Sequence, residues 1–150
     1  MTAQPGSRHP TLRLLQAGFV LFLLGLLTGF IIPIAQLPRM ALSSHLEGVM
    51  NGLFLIALGL CWKYFVLPSW AETTAVLAAI TGTYANWAVT LLSAFTGAAA
   101  MMPIAGGGSV GSPLQENLVS GLLVFVSLSM VLACLLAIWG LQRGSRAQMP

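Results

Sequence analysis

Apolar residues fall into four blocks along the chain, 12–32, 45–66, 73–95 and 114–141, and all eight prolines lie outside them. Each block reaches the roughly 20 residues that a helix needs to cross the hydrocarbon core of a bilayer. Strict alternation of apolar and polar positions, the mark of a membrane barrel, is absent. The pattern predicts an all-α integral membrane four-helix bundle. Residues 12–141 form its single transmembrane domain, between a disordered tail at 1–11 and a flexible tail at 142–150. The first block is not expected to be a cleaved signal peptide, because its apolar run is too long and no A-x-A site precedes Pro33.

Composition agrees with the pattern. Hydrophobic residues make up 57% of the chain and charged ones only 6%, against about a quarter charged in a soluble domain. The few charges orient the helices. Arg8, Arg13, Lys63, Arg143 and Arg146 belong to one side, and Arg39 alone to the other. By the positive-inside rule both termini are expected in the cytoplasm. Topology thus accounts for the net charge of +3 without a nucleic-acid partner. Cys61 and Cys134 lie inside the apolar blocks with no C-x-x-C around them, and read as small buried apolar residues.

The three glutamates each stand near an expected helix start. Ser44 with Glu47 and Ser69 with Glu72 have the Ser-x-x-Glu spacing of a capping box. Ser112, Pro113 and Gln115 make a related start, with Glu116 next. Two loops are expected to face outward, 33–42 and the longer, glycine-rich 97–112.

The candidate chemistry begins at His45, the one histidine outside the N-terminal tail, in a stretch that also holds Glu47 and Asn51. Ionisable groups at membrane depth are costly and mark functional sites by default. Gly48, Gly52 and Gly59 follow His45 on one helical face. That glycine face has two readings: close helix packing through small residues, or room for a flat ligand held by the imidazole. Asn51 points about a third of a turn away, near the azimuth of Glu47. Tyr84 and Asn86 on the third helix, with Glu116 and Asn117 on the fourth, fall in the same outer half of the bundle. Asn51 and Asn86 also suit simple helix–helix hydrogen bonding. Gly18, Gly25 and Gly29 on the first helix suit packing against another copy. With no aspartate in the chain there is no Ser-His-Asp set, and neither an H-x-x-x-H zinc spacing nor a phosphate-binding loop occurs. A lone membrane histidine is more often hydrogen-bonded than a metal ligand. If it bound a haem, no second buried histidine would fill the sixth position, which favours substrate chemistry over electron transfer.

The runs LLTGFIIPIAQLPRMALSSHLEGVMNG (26–52), GTYANW (82–87) and MMPIAGGG (101–108) resemble hydroxylaminobenzene mutase, a small four-helix membrane enzyme that rearranges hydroxylaminobenzene to 2-aminophenol. The resemblance covers nearly the whole chain. A more distant resemblance is to styrene oxide isomerase, through His45, Asn51, Gly52 and the triplet Tyr84, Ala85, Asn86. The positions four before and four after Asn86 are Gly82 and Thr90, where the isomerase pattern has an aspartate and a tyrosine; this suits a sister activity. The resemblance implies haem b, with His45 as its metal ligand and Gly48 and Gly52 beside it. It also implies Asn51 at the substrate oxygen, a homotrimer, a small aromatic substrate drawn from the lipid bilayer, and a bacterial inner membrane. Glu47, Asn86 and Tyr84 complete the expected catalytic set. An aryl epoxide isomerase stays open as an alternative, and so does a non-enzymatic transporter or membrane subunit.

Overall fold

Proline opens the helices of this chain, because its missing N–H is one that a first turn leaves unpaired in any case. The computed structural model describes residues 8–147. Its helices are α1 (Arg8–Ile31), α2 (Pro38–Cys61), α3 (Ser69–Thr96), the single turn α4 (Pro103–Gly106) and α5 (Pro113–Ala147). Pro38, Pro103 and Pro113 each start one, and Pro68 stands just before α3. Short 3₁₀ turns at Ile32–Ile34 and Trp62–Tyr64 extend α1 and α2. Among the described residues the elements are all helical, and four are long and apolar enough to cross a membrane. Helix begins at Arg8, within the expected tail, and continues to Ala147. Residues 1–7 and 148–150 of the expected tails lie outside the described residues.

The four long helices pack as a row more than as a closed square. α1 lies along α2, α2 against α3, and α3 against α5, while α1 touches α3 only lightly. The closest approach is between α1 and α2, where glycines meet backbone. A Cβ placed on Gly25 would come 2.5 Å from the Val49 nitrogen, and one on Gly52 would come 2.6 Å from the Phe22 nitrogen. Gly18 and Gly48 are equally closed in by the opposite helix. Without an aqueous phase to drive association inside lipid, such backbone contact is what holds two helices together. The glycines of α1 therefore serve packing within the chain, not the expected packing against another copy. Because α1 occupies the face of Gly48 and Gly52, the packing reading of those glycines replaces the ligand groove.

Apolar cores lie toward the two ends of the long helices. The larger joins Leu14, Leu21, Leu55, Leu58, Trp62, Ala75, Ala79 and Leu136. The other end holds Ala35, Met40, Ala41, Ala94 and Ala99, with Val89, Ala98 and Val119 beside them. Between the two is a layer of polar groups from α1, α2 and α3. The ends of the described chain share the end of the larger core: Val66 N–H donates to the Gly140 carbonyl at 3.1 Å, and Gly59 faces Leu14 and Leu15.

At the opposite end, Glu116 organises the 97–112 loop. Its carboxylate accepts from the backbone N–H groups of Ala99 (3.1 Å), Ala100 (3.1 Å) and Gly111 (2.7 Å). Ser112 and Gln115 form the expected capping box at the start of α5, with Gln115 Oε1 accepting from the Ser112 N–H at 2.9 Å and Ser112 Oγ accepting from the Gln115 N–H at 3.4 Å. The other two boxes do not form. α2 starts at Pro38, which leaves Ser44 and Glu47 inside the helix, and Glu72 accepts from Trp62 Nε1 at 3.2 Å. Cys61 and Cys134 are exposed, not buried as expected, because α5 presents much of its surface outward and Cys61 stands at the last position of α2.

Candidate functional site

The polar layer divides around α2 into two flanks. On the first, His45 turns toward α1. Its Nδ1 lies 2.8 Å from the carbonyl oxygen of Gly25, an acceptor only, so Nδ1 carries the proton and donates. Neutral imidazole then holds its lone pair on Nε2. The ring fits because α1 has no side chain there: a Cβ on Gly29 would come 3.2 Å from Nδ1 and 3.4 Å from Cε1. Nε2 has no hydrogen-bond partner among the described residues. Among the described residues no buried side-chain nitrogen or oxygen lacks one, so this nitrogen is accessible.

The second flank faces α3. Glu47 Oε2 accepts from two amides, Asn51 Nδ2 one helical turn along α2 at 3.2 Å, and Asn86 Nδ2 across on α3. All three residues are half-buried. A carboxylate only accepts, so both amides must turn their nitrogens toward it and their oxygens away. Asn51 Oδ1, Asn86 Oδ1 and Glu47 Oε1 have no partners among the described residues and, by the same reasoning as for Nε2, remain accessible.

A third group of bonds closes the junction of α1, α2 and α3. Trp87 Nε1 donates to Thr28 Oγ1 at 3.0 Å, and Ser44 Oγ donates to the Trp87 carbonyl at 3.0 Å. Buried Thr90 donates to the Asn86 carbonyl at 2.9 Å, which ties its hydroxyl to its own helix. Tyr84 reaches away from the Glu47 cluster and donates to the Ala17 carbonyl at 2.9 Å. Glu116 is occupied by the outer loop, and Asn117 is exposed. The structure thus brings Glu47, Asn51 and Asn86 together, and leaves Tyr84, Glu116 and Asn117 apart from them. His45 is separate too: it and Asn51 are six positions apart on α2, about 120° around the helix.

Sequence reasoning missed Gly25, which supplies the carbonyl for His45, and the Thr28–Trp87–Ser44 chain. Small residues on α1 signalled a close contact, but nothing in their pattern named the helix that would fill it. Among the described residues no group of three or more His, Cys, Asp or Glu side chains could cage a metal ion. The lone pair on His45 Nε2, oriented by the bond on Nδ1, could instead bind a metal that a prosthetic group already holds.

Residues 11–142 match the family described as styrene oxide isomerase. Two curated relatives come from Ectopseudomonas oleovorans. Hydroxylaminobenzene mutase HabB is 56% identical over 131 residues, covering 87% of this chain and 80% of the relative. Hydroxylaminobenzene mutase HabA is 41% identical over 131 residues, covering 87% of this chain and 97% of the relative. No solved structure matches the chain.

Proposed function

The chain belongs to the styrene oxide isomerase family and is an isomerase, and on that premise we propose that it rearranges arylhydroxylamines of the hydroxylaminobenzene type to 2-aminophenols within the membrane. The observation that carries the proposal is the Glu47–Asn51–Asn86 cluster, set at membrane depth in a chain whose relatives bear the mutase name. The reaction leaves composition and oxidation level unchanged. The N–O bond breaks with its electron pair on oxygen, a C–O bond forms at the ortho carbon, that carbon loses its proton, and nitrogen gains one.

Asn51 and Asn86 hold the hydroxylamine group and keep the migrating oxygen beside the ring. Glu47 Oε1, the open oxygen of the carboxylate, accepts the ortho proton as the ring regains aromaticity. The surrounding apolar helices keep out bulk water, which would otherwise capture the ring at the para position. Apolar aryl substrates partition into lipid, which suits a site between membrane helices. His45 Nε2 is the atom that would hold a haem iron, with Gly25 and Gly29 fixing the ring. A haem held there would supply Lewis-acid chemistry at the hydroxylamine oxygen.

His45 and the Glu47 cluster open on different flanks of one chain. A complete site therefore joins His45 of one copy to the Glu47 cluster of its neighbour, in the homotrimer that the family resemblance implies. The bilayer is the inner membrane of a bacterium, with both termini in the cytoplasm.

The test is product analysis on the purified protein with N-phenylhydroxylamine labelled with ¹⁸O. The expected product is 2-aminophenol that retains the label. 4-Aminophenol, or solvent oxygen in the product, would overturn intramolecular transfer. Conversion of styrene oxide to an aldehyde with no turnover of the hydroxylamine would instead favour the epoxide reading. The haem is tested separately by a Soret band that His45→Ala abolishes.

A further inference from the structure

One carboxylate oxygen bonded to two amides does more than join two helices. Glu47 Oε2 takes an N–H from Asn51 on its own helix and another from Asn86 on α3. Each amide is thereby oriented nitrogen inward, and neither can turn over without placing its oxygen against a carboxylate. Lone pairs on Asn51 Oδ1 and Asn86 Oδ1 are what the pair presents outward, together with the one remaining N–H on each nitrogen. We infer that the outward oxygens of Asn51 and Asn86, held that way by Glu47, set the specificity of the site for substrates that carry N–H and O–H donors.

The inference rests on the proposed arylhydroxylamine reaction and names what makes the site choose such a substrate. An arylhydroxylamine has one N–H and one O–H, which is one donor for each amide oxygen. An aryl epoxide has acceptor lone pairs and no donor. It can take a bond from a spare amide N–H, but it leaves both amide oxygens unmet in an apolar setting. Leaving polar groups of a site unpaired is how a site built around a substrate's OH or NH rejects an analogue without it. Glu47 is in this respect a positioning residue, acting through the two asparagines, in addition to the proton transfer assigned to its other oxygen.

The experiment compares ligands on the intact protein in its lipid or detergent environment. The wild type is assayed for turnover of N-phenylhydroxylamine and for inhibition of that turnover by styrene oxide and by N-methyl-N-phenylhydroxylamine, which lacks the N–H. Expected is a styrene oxide inhibition constant at least about a hundredfold above the KM for N-phenylhydroxylamine, with the N-methyl compound between them. Glu47→Leu removes the shared acceptor and frees both amides to rotate, so styrene oxide should bind at least about tenfold more tightly to that variant, measured by displacement of a bound aryl amine and not by turnover. Asn51→Leu and Asn86→Leu should each narrow the gap between the two ligands. A merely structural Glu47 would lower stability and leave that gap unchanged. If the wild type turns over N-phenylhydroxylamine but binds styrene oxide within threefold as well, the specificity inference is wrong while the reaction stands. If it does not turn over the hydroxylamine at all, the proposed reaction itself fails.

Discussion

Gly29 shows how one missing side chain can place a functional one. The His45 ring lies where a Cβ at Gly29 would stand 3.2 Å from Nδ1, and the bond from Nδ1 to the Gly25 carbonyl depends on that space. Gly29→Ala should displace the ring and cost about 1 kcal/mol through the lost hydrogen bond. A loss of activity of tenfold or more, with an unfolding temperature lowered by only a few degrees, is the expected result; unchanged activity would mean that the ring does not need this seat. Tyr84 marks the opposite case. Its hydroxyl is taken up by the Ala17 carbonyl, at a distance from the Glu47 cluster. Tyr84→Phe should lower stability by about 1 kcal/mol and leave turnover within threefold, as measured by denaturant unfolding beside steady-state rates. At this scale His45, Asn51 and Asn86 were legible from residue type alone, because ionisable and amide groups are costly in lipid. Which of them share a hydrogen bond was not legible, because α2 offers each a different azimuth and only the neighbouring helices decide what meets it.

The helices themselves were written in the spacing of prolines and apolar blocks, and their ends less so. α2 begins at Pro38, seven residues before His45. The apparent capping box of Ser44 and Glu47 therefore falls inside a helix, where Ser44 donates across to α3. A Ser-x-x-Glu spacing describes a helix start only if the chain stops being helical just before it. At α5 that condition holds, and the Ser112–Gln115 box forms. Glu116, next in sequence, instead gathers three backbone N–H groups from both ends of the outer loop. Glu116→Ala strands those groups at about 1–3 kcal/mol for each that stays buried, and limited proteolysis between residues 97 and 112 should become several times faster. Equal cleavage rates would show that the loop holds itself. Between α1 and α2 the controlling feature is backbone contact. Gly25→Val, at a site with 2.5 Å to the Val49 nitrogen, should push the helices apart and cost about 1–3 kcal/mol or more as overpacking. Thermal unfolding in detergent checks it.

For the whole molecule the arrangement in a row has a consequence for where things face. α5 packs mainly on α3, and α1 mainly on α2, so both leave long apolar surfaces to lipid or to a second copy. The end that carries both described termini also carries Lys63 over the Tyr64 ring at 5.0 Å and Arg143 over the Trp139 ring at 5.3 Å. Basic and aromatic side chains of this kind anchor a membrane–water interface. Exposed Cys61 beside that end offers a direct test of orientation. A membrane-impermeant maleimide should label it in inside-out vesicles and not in intact cells, and the reverse pattern would invert the topology. The sequence by itself determined four helices apolar enough to span a membrane and the residues able to do chemistry, and its charges set the expected direction of those helices. These follow from single residues meeting lipid or water, a cost that each position carries wherever its neighbours lie. Only the tertiary structure decided that α1 fills the glycine face of α2, that Gly25 fixes the tautomer of His45, and that one oxygen of Glu47 turns two amides outward. Those depend on which helix lies against which, and contacts between distant residues leave no period in the chain to read.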